Sequence, residues 1–562
     1  YAGQTGGKIC ARGQMMADLM HNPNRIYRAG DRSGPTAPGD AIQSIVDHIR
    51  AGSGRRRLAV WLDGNIAIED LAAARSLCEQ IGDSSQSLIH IPPHELGAVE
   101  GLDAAGVPQA APKDWQDADA LLIIGNPFAT HPPAAPFLMR WGKKRADTPM
   151  VVIDSVAGVT GSYTSDNIVC RPGYECWVLA AILKSAGLKG MTDWLPDEAG
   201  LRQLITDSGV DVESVNRAAL KLRSAQRPAV VVAPQSGGAD RWRALTATAA
   251  SWARQKGGMV SVLTGSANAL GISRYMRKHG IKDWASAGAG NQRRAVDMLL
   301  IVGWEPTSAY PRSMWGSAFA TAQNVVMANA FIPGEWEEYD QTLPLALGSE
   351  AGGLYVLADV QCCAVDPLLT PPAGVPTVRE LFAMLGECYG CSVQFTVGND
   401  DVVAAPLKIQ APKASSTAVP EGWPAVMIAD SMQYFDGQIT QHTVWSRQLN
   451  LLPELWVSPA DAATIGVSDG QTIRISNANG QAMVRVVAAK DQPEIGGCFS
   501  EVKPSAQTAG WLAVSGGYPE IRRLASWQLD PSDDALQAGT IYIQLDTSKV
   551  TDIQQEAVYA RS

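Results

Sequence analysis

Three observations in the 562-residue sequence predict an α/β fold made of two pseudo-symmetric, Rossmann-like lobes and followed by a domain of short strands. The stretch ADALLIIGNPFATHP, from Ala118 to Pro132, nearly repeats as VDMLLIVGWEPTSAYP, from Val296 to Pro311, with one residue inserted. A second aliphatic run, Met150 to Asp154, follows the first copy at nearly the distance at which Asn324 to Asn329 follows the second. Beyond about residue 424 the pattern shifts to short alternating runs.

Each copy places an Asp, a few aliphatic residues, a Gly and a Pro-punctuated loop in order, which reads as a buried parallel strand ending in a turn that opens onto a helix. Ligands of open α/β sheets sit outside the carboxyl ends of such strands. Two units therefore predict two related sites, or one site built from two halves, with the corners at Gly125 and Gly303 facing one central cleft. Leu58 to Leu62 reads as a strand and Ile66 to Ile81 as an Ala-rich helix with a 3.6-residue period. Residues 201–225 read as a polar surface helix, Pro228 to Ala233 as another buried strand, and Arg241 to Lys256 as a helix.

The Pro, Ala, Ser and Lys-rich segment 404–423 reads as a linker. After it, Leu455 to Val457, Thr472 to Ile475 and Ala482 to Val487 read as strands, and Asn479-Gly480 is a hairpin turn signal. The expected division is an N-terminal segment 1–57, a first lobe from 58–200 with return segment 340–403, a second lobe 201–339, the linker, and a C-terminal β domain 424–562.

Apolar residues at 46% and charged residues at 18% describe a well-packed globular chain, and the length suggests several domains. A net charge of −10 without a Lys/Arg block argues against a nucleic-acid partner. No apolar run approaches the roughly 18 residues needed to cross a bilayer. Nine cysteines at scattered positions do not form a small disulfide framework, so reduced thiols are expected. Cys388 and Cys391 have C-x-x-C spacing without a second pair or a nearby His pair, which favours an ordinary structural role over a metal or redox site.

The N-terminal stretch GGKICARGQ, with HNPNR and GDR after it, resembles the molybdopterin oxidoreductases of the dimethyl sulfoxide reductase and formate dehydrogenase superfamily. So do Gly125, Asn126, Pro127, His131 and Pro132, the RPG segment at Arg171, the SEAGGLY segment at Ser349, and SPADAATIGVSDG at Ser458. The resemblance covers nearly the whole chain in order. It implies that the C-terminal domain is a double-psi β-barrel closing over a bis-molybdopterin guanine dinucleotide cofactor carrying molybdenum or tungsten. By carry-over, Arg12, Gly125, Asn126, His131, Asp154, Arg171, Gly303 and His442 are the expected cofactor contacts, and Cys10 a ligand of a [4Fe–4S] cluster.

Three departures matter. The family's other cluster cysteines would precede Tyr1, and one thiolate cannot hold a cluster. Where relatives place the protein ligand to the metal there is no Cys, leaving Ser84, Ser85 and Ser87 as candidates, with His90 and His94 nearby, and Asp154 is followed by Ser155 and Val156 instead of Pro-Arg. Together these favour a subunit with little or no molybdenum in a multi-subunit, quinone-linked respiratory complex. Iron–sulfur or haem subunits and a membrane anchor would be its partners, and the chain itself would be peripheral to the membrane. The alternative is a catalytic enzyme of the formate dehydrogenase or oxygen-atom transferase type.

Overall fold

The computed structural model describes residues 11–409 except 15, 53–55, 83–84, 145–147, 157, 165, 191–193, 236–237, 285–295, 311, 357–361, 405–406 and 408. In the C-terminal part it describes residues 425–429, 442–443, 452–477, 480–488, 512–515, 540–542 and 544–546. Two large sheets organise the first part. In the five-stranded sheet the order is Asp166–Val169, Met150–Asp154, Leu121–Ile124, Ala229–Val232, Met259–Val262, and every neighbouring pair is parallel. Numbered along the chain this is 3-2-1-4-5, a doubly wound sheet whose direction of winding reverses between Leu121–Ile124 and Ala229–Val232.

The eight-stranded sheet runs Lys282–Asp283, Gln86–His90, Arg56–Asp63, Val296–Val302, Ala322–Asn329, Gln341–Pro344, with the short pair Gly30–Asp31 and Gly34–Pro35 added antiparallel at one edge. Its six parallel strands follow the order 3-2-1-4-5-6, and its winding reverses between Arg56–Asp63 and Val296–Val302. The smaller sheet is inserted whole between Gln86–His90 and Lys282–Asp283. A boundary at residue 200 therefore cuts the five-stranded sheet, and residues 56–90 share a sheet with 282–344 instead.

Strand periodicity assigns the two faces of the large sheet. Leu58, Val60 and Leu62 join a large core with the helices Pro38–Ala51 and Ile68–Ile81, while Ala59 and Trp61 join a ring-rich core beneath the helix Arg312–Thr321. The helix Ile68–Ile81 is stopped from fraying at its start by Asp70, whose carboxylate accepts the Ala67 N–H at 3.0 Å. The four residues Leu121–Ile124 are fully buried on both faces, each burial worth about 1.5–3 kcal/mol, which is why an aliphatic run without alternation marks this strand.

The C-terminal strands form one mixed sheet, Thr540–Tyr542, Ala425–Ala429, Leu512–Ser515, Glu454–Val457, Gly480–Ala488, Thr472–Asn477, Gln544–Asp546. The hairpin expected around Asn479-Gly480 is present as an antiparallel pair from Thr472↔Arg485 to Asn477↔Gly480. Hydrogen bonding does not close this sheet into a ring among the described residues. Its two edge strands are nevertheless separated by Ile543 alone, so the sheet must curl until its edges come within the reach of that residue.

Candidate functional site

At the switch point of the five-stranded sheet a crevice opens, lined by Ile124, Gly125, Ile153, Asp154, Glu175, Gln235 and Trp242. Strand ends deliver Gly125, Asp154 and Gln235 to it, and the first turn of the helix Glu175–Ser185 delivers Glu175. Asp154 accepts the Ser155 N–H at 2.7 Å, and burial pushes its carboxyl up to about 7. Glu175 accepts the Ser155 hydroxyl and, at 2.9 Å, the Gly173 N–H. Thus Ser155 ties the strand end to the next helix. Burial, with Glu175 and Asp154 nearby, holds the Cys170 thiol well above its usual range. The Gln235 side chain is buried, and its Nε2 donor has no partner among the described residues.

The corner is built tightly. Gly125 has φ of +90°, and an added Cβ would lie 2.1 Å from the Ala233 carbonyl oxygen, so only Gly permits the two strand ends to approach. Asn126 turns its amide oxygen to Thr160, accepting the Oγ1 hydroxyl at 2.6 Å and the N–H at 3.3 Å. That oxygen braces the corner. His131 has Nδ1 2.9 Å from Thr130 Oγ1 and Nε2 2.9 Å from the Thr264 carbonyl. Arg171 lies on the adjoining segment, its N–H donating to the Ser208 carbonyl at 2.8 Å.

Loop 264–268 then bridges the two switch points. Besides meeting His131 through Thr264, it donates the Gly265 and Ser266 N–H groups to the buried Glu95 carboxylate at 2.8 and 2.9 Å. On the other side Ala267 N–H donates to Asn65 Oδ1 at 2.9 Å, Asn268 N–H to the Gly64 carbonyl at 3.2 Å, and Asn268 Nδ2 to the Ile66 carbonyl at 3.0 Å. Gly64 and Asn65 directly follow Arg56–Asp63 at the large sheet's switch point.

The corner at Gly303 repeats the local form of Gly125: a positive φ of +83°, an N–H donating to the neighbouring strand, and a Pro-led four-residue helix after it. It does not occupy the equivalent place. Gly125 ends the first strand of its sheet, whereas Gly303 ends the fourth strand of the other, and the topological counterpart of Gly125 is Gly64. The near-repeat pairs the two flanks of a switch point, because both flanking strands are buried on both faces and both need the same left-handed turn.

The large sheet's strand ends carry rings. His90 ends the second strand, Trp284 follows the third and Trp304 the fourth. The His90 ring stacks on Trp304 with centroids 4.7 Å apart and planes 17° from parallel, Trp284 meets Trp304 edge-on at 5.4 Å, and Tyr310 Oη lies 2.6 Å from His90 Nε2. All four are buried. This cluster had no local signature, since its members are spread from residue 90 to residue 310.

Other expected contacts fall elsewhere. Ser85 precedes the strand Gln86–His90 and Ser87 pairs with Val60 near its amino end, away from the carboxyl end where a ligand sits; Ser84 lies outside the described residues. Arg12 belongs to the short helix Ala11–Gln14, and Cys10 lies outside the described residues. The His442 ring stacks on Phe331 at 4.4 Å and its carbonyl accepts from Asn22 Nδ2, which ties the C-terminal part to the N-terminal segment. The HNPNR and SEAGG motifs meet there as well: buried Arg25 pairs with buried Glu350, whose carboxylate also accepts the Leu347 N–H at 2.9 Å. Cys388 and Cys391 are free thiols at the end of the helix Val378–Tyr389.

Residues 427–508, which include the strands Glu454–Val457, Thr472–Asn477 and Gly480–Ala488, match the family described as Molydopterin dinucleotide binding domain. The fold is similar to that of acetylene hydratase from Pelobacter acetylenicus, with a TM-score of 0.68 over 96% of this chain and 94% of that one. The family match covers residues 427–508, and over the rest of the chain the likeness is one of fold. Identity to the hydratase is 10%, so this likeness shows the fold alone. No curated protein matches the sequence. The crevice has room for about one water molecule, so a nucleoside would enter only if its walls moved; Asp154 ends the second strand there, and the buried Gln235 Nε2 has no partner among the described residues. The large sheet's strand ends do not fit a metal, because rings already fill them.

Proposed function

We propose that this chain is a molybdopterin-oxidoreductase-fold subunit of a multi-subunit respiratory electron-transfer complex, acting as a scaffold and holding little or no molybdenum. The observation that carries the reading is the stack of His90, Trp304, Trp284 and Tyr310 over the large sheet's strand ends, the ground that a metal and its substrate would need. Around it, one short loop locks both switch points together through Glu95, Asn65 and His131, which suits a rigid body better than an opening cleft. In this reading the curled C-terminal sheet is a double-psi β-barrel, the two α/β lobes are pseudo-symmetric, and iron–sulfur or haem subunits and a membrane anchor complete the complex. No helix among the described residues is long and apolar enough to cross a membrane, so attachment to one would come through such partners.

A second reading, a catalytic bis-molybdopterin guanine dinucleotide enzyme, is favoured by the dinucleotide-binding match over residues 427–508 and by the polar groups of Asp154 and Gln235 at the five-stranded sheet's switch point. In that case the pterin-held metal would supply the redox or Lewis-acid chemistry, and these residues would bind and orient its nucleoside end. Elemental analysis and pterin release on protein isolated from its native membrane separate the two. The scaffold reading expects metal far below one atom per chain with iron–sulfur or haem subunits co-purifying. Stoichiometric molybdenum or tungsten with two pterin dinucleotides would replace it by the catalytic one.

A further inference from the structure

The ring cluster does more than fill space: we propose that Tyr310 and His90 form a proton-coupled one-electron donor, a sink for oxidising equivalents that reach the protein interior. The Tyr310 hydroxyl and His90 Nε2 lie 2.6 Å apart, both side chains are buried, and the phenol is placed to donate to the imidazole. A phenol loses an electron at far lower cost when its proton has a base to move to, because the alternative is a buried radical cation. His90 is also held in register by its stack on Trp304, 4.7 Å away and 17° from parallel.

From this pair a chain of rings extends through the sheet. Trp304 lies 5.4 Å from Trp284, and Trp284 lies 5.4 Å from Trp61, so oxidisable indoles lead to the pair at near-contact spacing. Tyr310 is fixed from its other side as well, since its carbonyl accepts the Trp315 indole N–H at 3.0 Å. Among the described residues the indole Nε1 donors of Trp284 and Trp304 have no acceptor, so an oxidised indole there has no described base to receive its proton, and the hole moves on to the tyrosine that has one.

The step balances simply. Tyr310 gives one electron to an oxidant of higher potential than tyrosine, of the class of ruthenium(III) polypyridyls and ferryl haems, and its phenolic proton passes to His90 Nε2. A neutral tyrosyl radical and an imidazolium result. One electron from a reductant, with return of that proton, restores the pair.

Flash-quench oxidation of the full-length protein with photogenerated tris(bipyridyl)ruthenium(III), followed by electron paramagnetic resonance of freeze-trapped samples after annealing, tests this. The wild type is expected to show a dominant neutral tyrosyl signal with a strongly coupled exchangeable proton. Tyr310→Phe should lower its yield several-fold, and His90→Phe should abolish the solvent isotope effect on its formation. An unchanged yield in Tyr310→Phe, or an isotope effect unaffected by His90→Phe, overturns the proposal. Should either variant fail to fold, absence of the exchangeable-proton coupling in the wild-type radical overturns it equally.

Discussion

The two sheets share a strand order and differ in what they do with their strand ends. In the five-stranded sheet the flanks of the switch point carry Gly125 and Gln235, small or polar groups that leave a crevice with Asp154 at its wall. In the eight-stranded sheet the corresponding ground carries Trp304, Trp284 and His90, which close it. Topology thus offers a site twice, and side-chain size decides which offer stays open. A doubly wound order locates a crevice, but it does not guarantee that a ligand can enter.

The sharpest break of this comparison is at the two glycines. Gly125→Ala meets the Ala233 carbonyl oxygen at 2.1 Å in a left-handed backbone, whereas Gly303→Ala has the same handedness, φ +83°, with no atom of the described residues within 4 Å of the added carbon. Gly303→Ala should cost only the left-handed penalty, about 1–2 kcal/mol. Gly125→Ala adds a backbone clash and should exceed about 4 kcal/mol. Urea denaturation of both variants decides it, and equal losses would mean that the crevice wall yields where the geometry says it is fixed.

How much of this was legible in the sequence depends on the range of the interaction. Leu121–Ile124 and Val296–Val302 could be read because a strand buried on both faces needs an aliphatic run and its turn needs Gly and Pro, all within about ten residues. The partition into sheets could not, since Arg56–Asp63 pairs with Val296–Val302 across the whole inserted lobe. The same holds for the rings at positions 90, 284, 304 and 310, each an ordinary aromatic locally. Ser85 and Ser87 were attractive as loop serines, but strand pairing puts them at the amino end. Asn126 and His131 were expected as cofactor contacts, and the observed bonds of Asn126 Oδ1 and of both His131 nitrogens are to the protein's own loops.

A somewhat smaller effect probes the closed side. Trp304 is 2% exposed and touches His90, Trp284, Trp61 and Tyr310, so Trp304→Ala should leave a cavity costing about 3–4 kcal/mol. Thermal unfolding, with near-ultraviolet circular dichroism to follow the coupled rings, measures it. A loss under about 1 kcal/mol would show that the rings merely line open space, and the contrast between the sheets would disappear.

The smallest effect concerns the open side and is a slope. Burial pushes the Asp154 carboxyl from 3.8 up to about 7 in the folded chain, so the native state keeps a proton that the unfolded chain releases. The stabilisation is then fully present below 3.8, falls by up to about 1.4 kcal/mol per pH unit between 3.8 and about 7, and is lost above that. Asp154→Asn imitates the protonated acid and can still accept the Ser155 N–H, so its urea midpoint should vary less across this window and exceed that of the wild type at its upper end. Part of the slope should survive, because Asp70 of the other lobe is also raised to about 7, by burial against the opposing pull of Arg379. If wild type and Asp154→Asn lost stability in parallel between about pH 4 and about pH 7, the acid at the crevice would already be hydrated and charged, and the crevice wider than its lining implies.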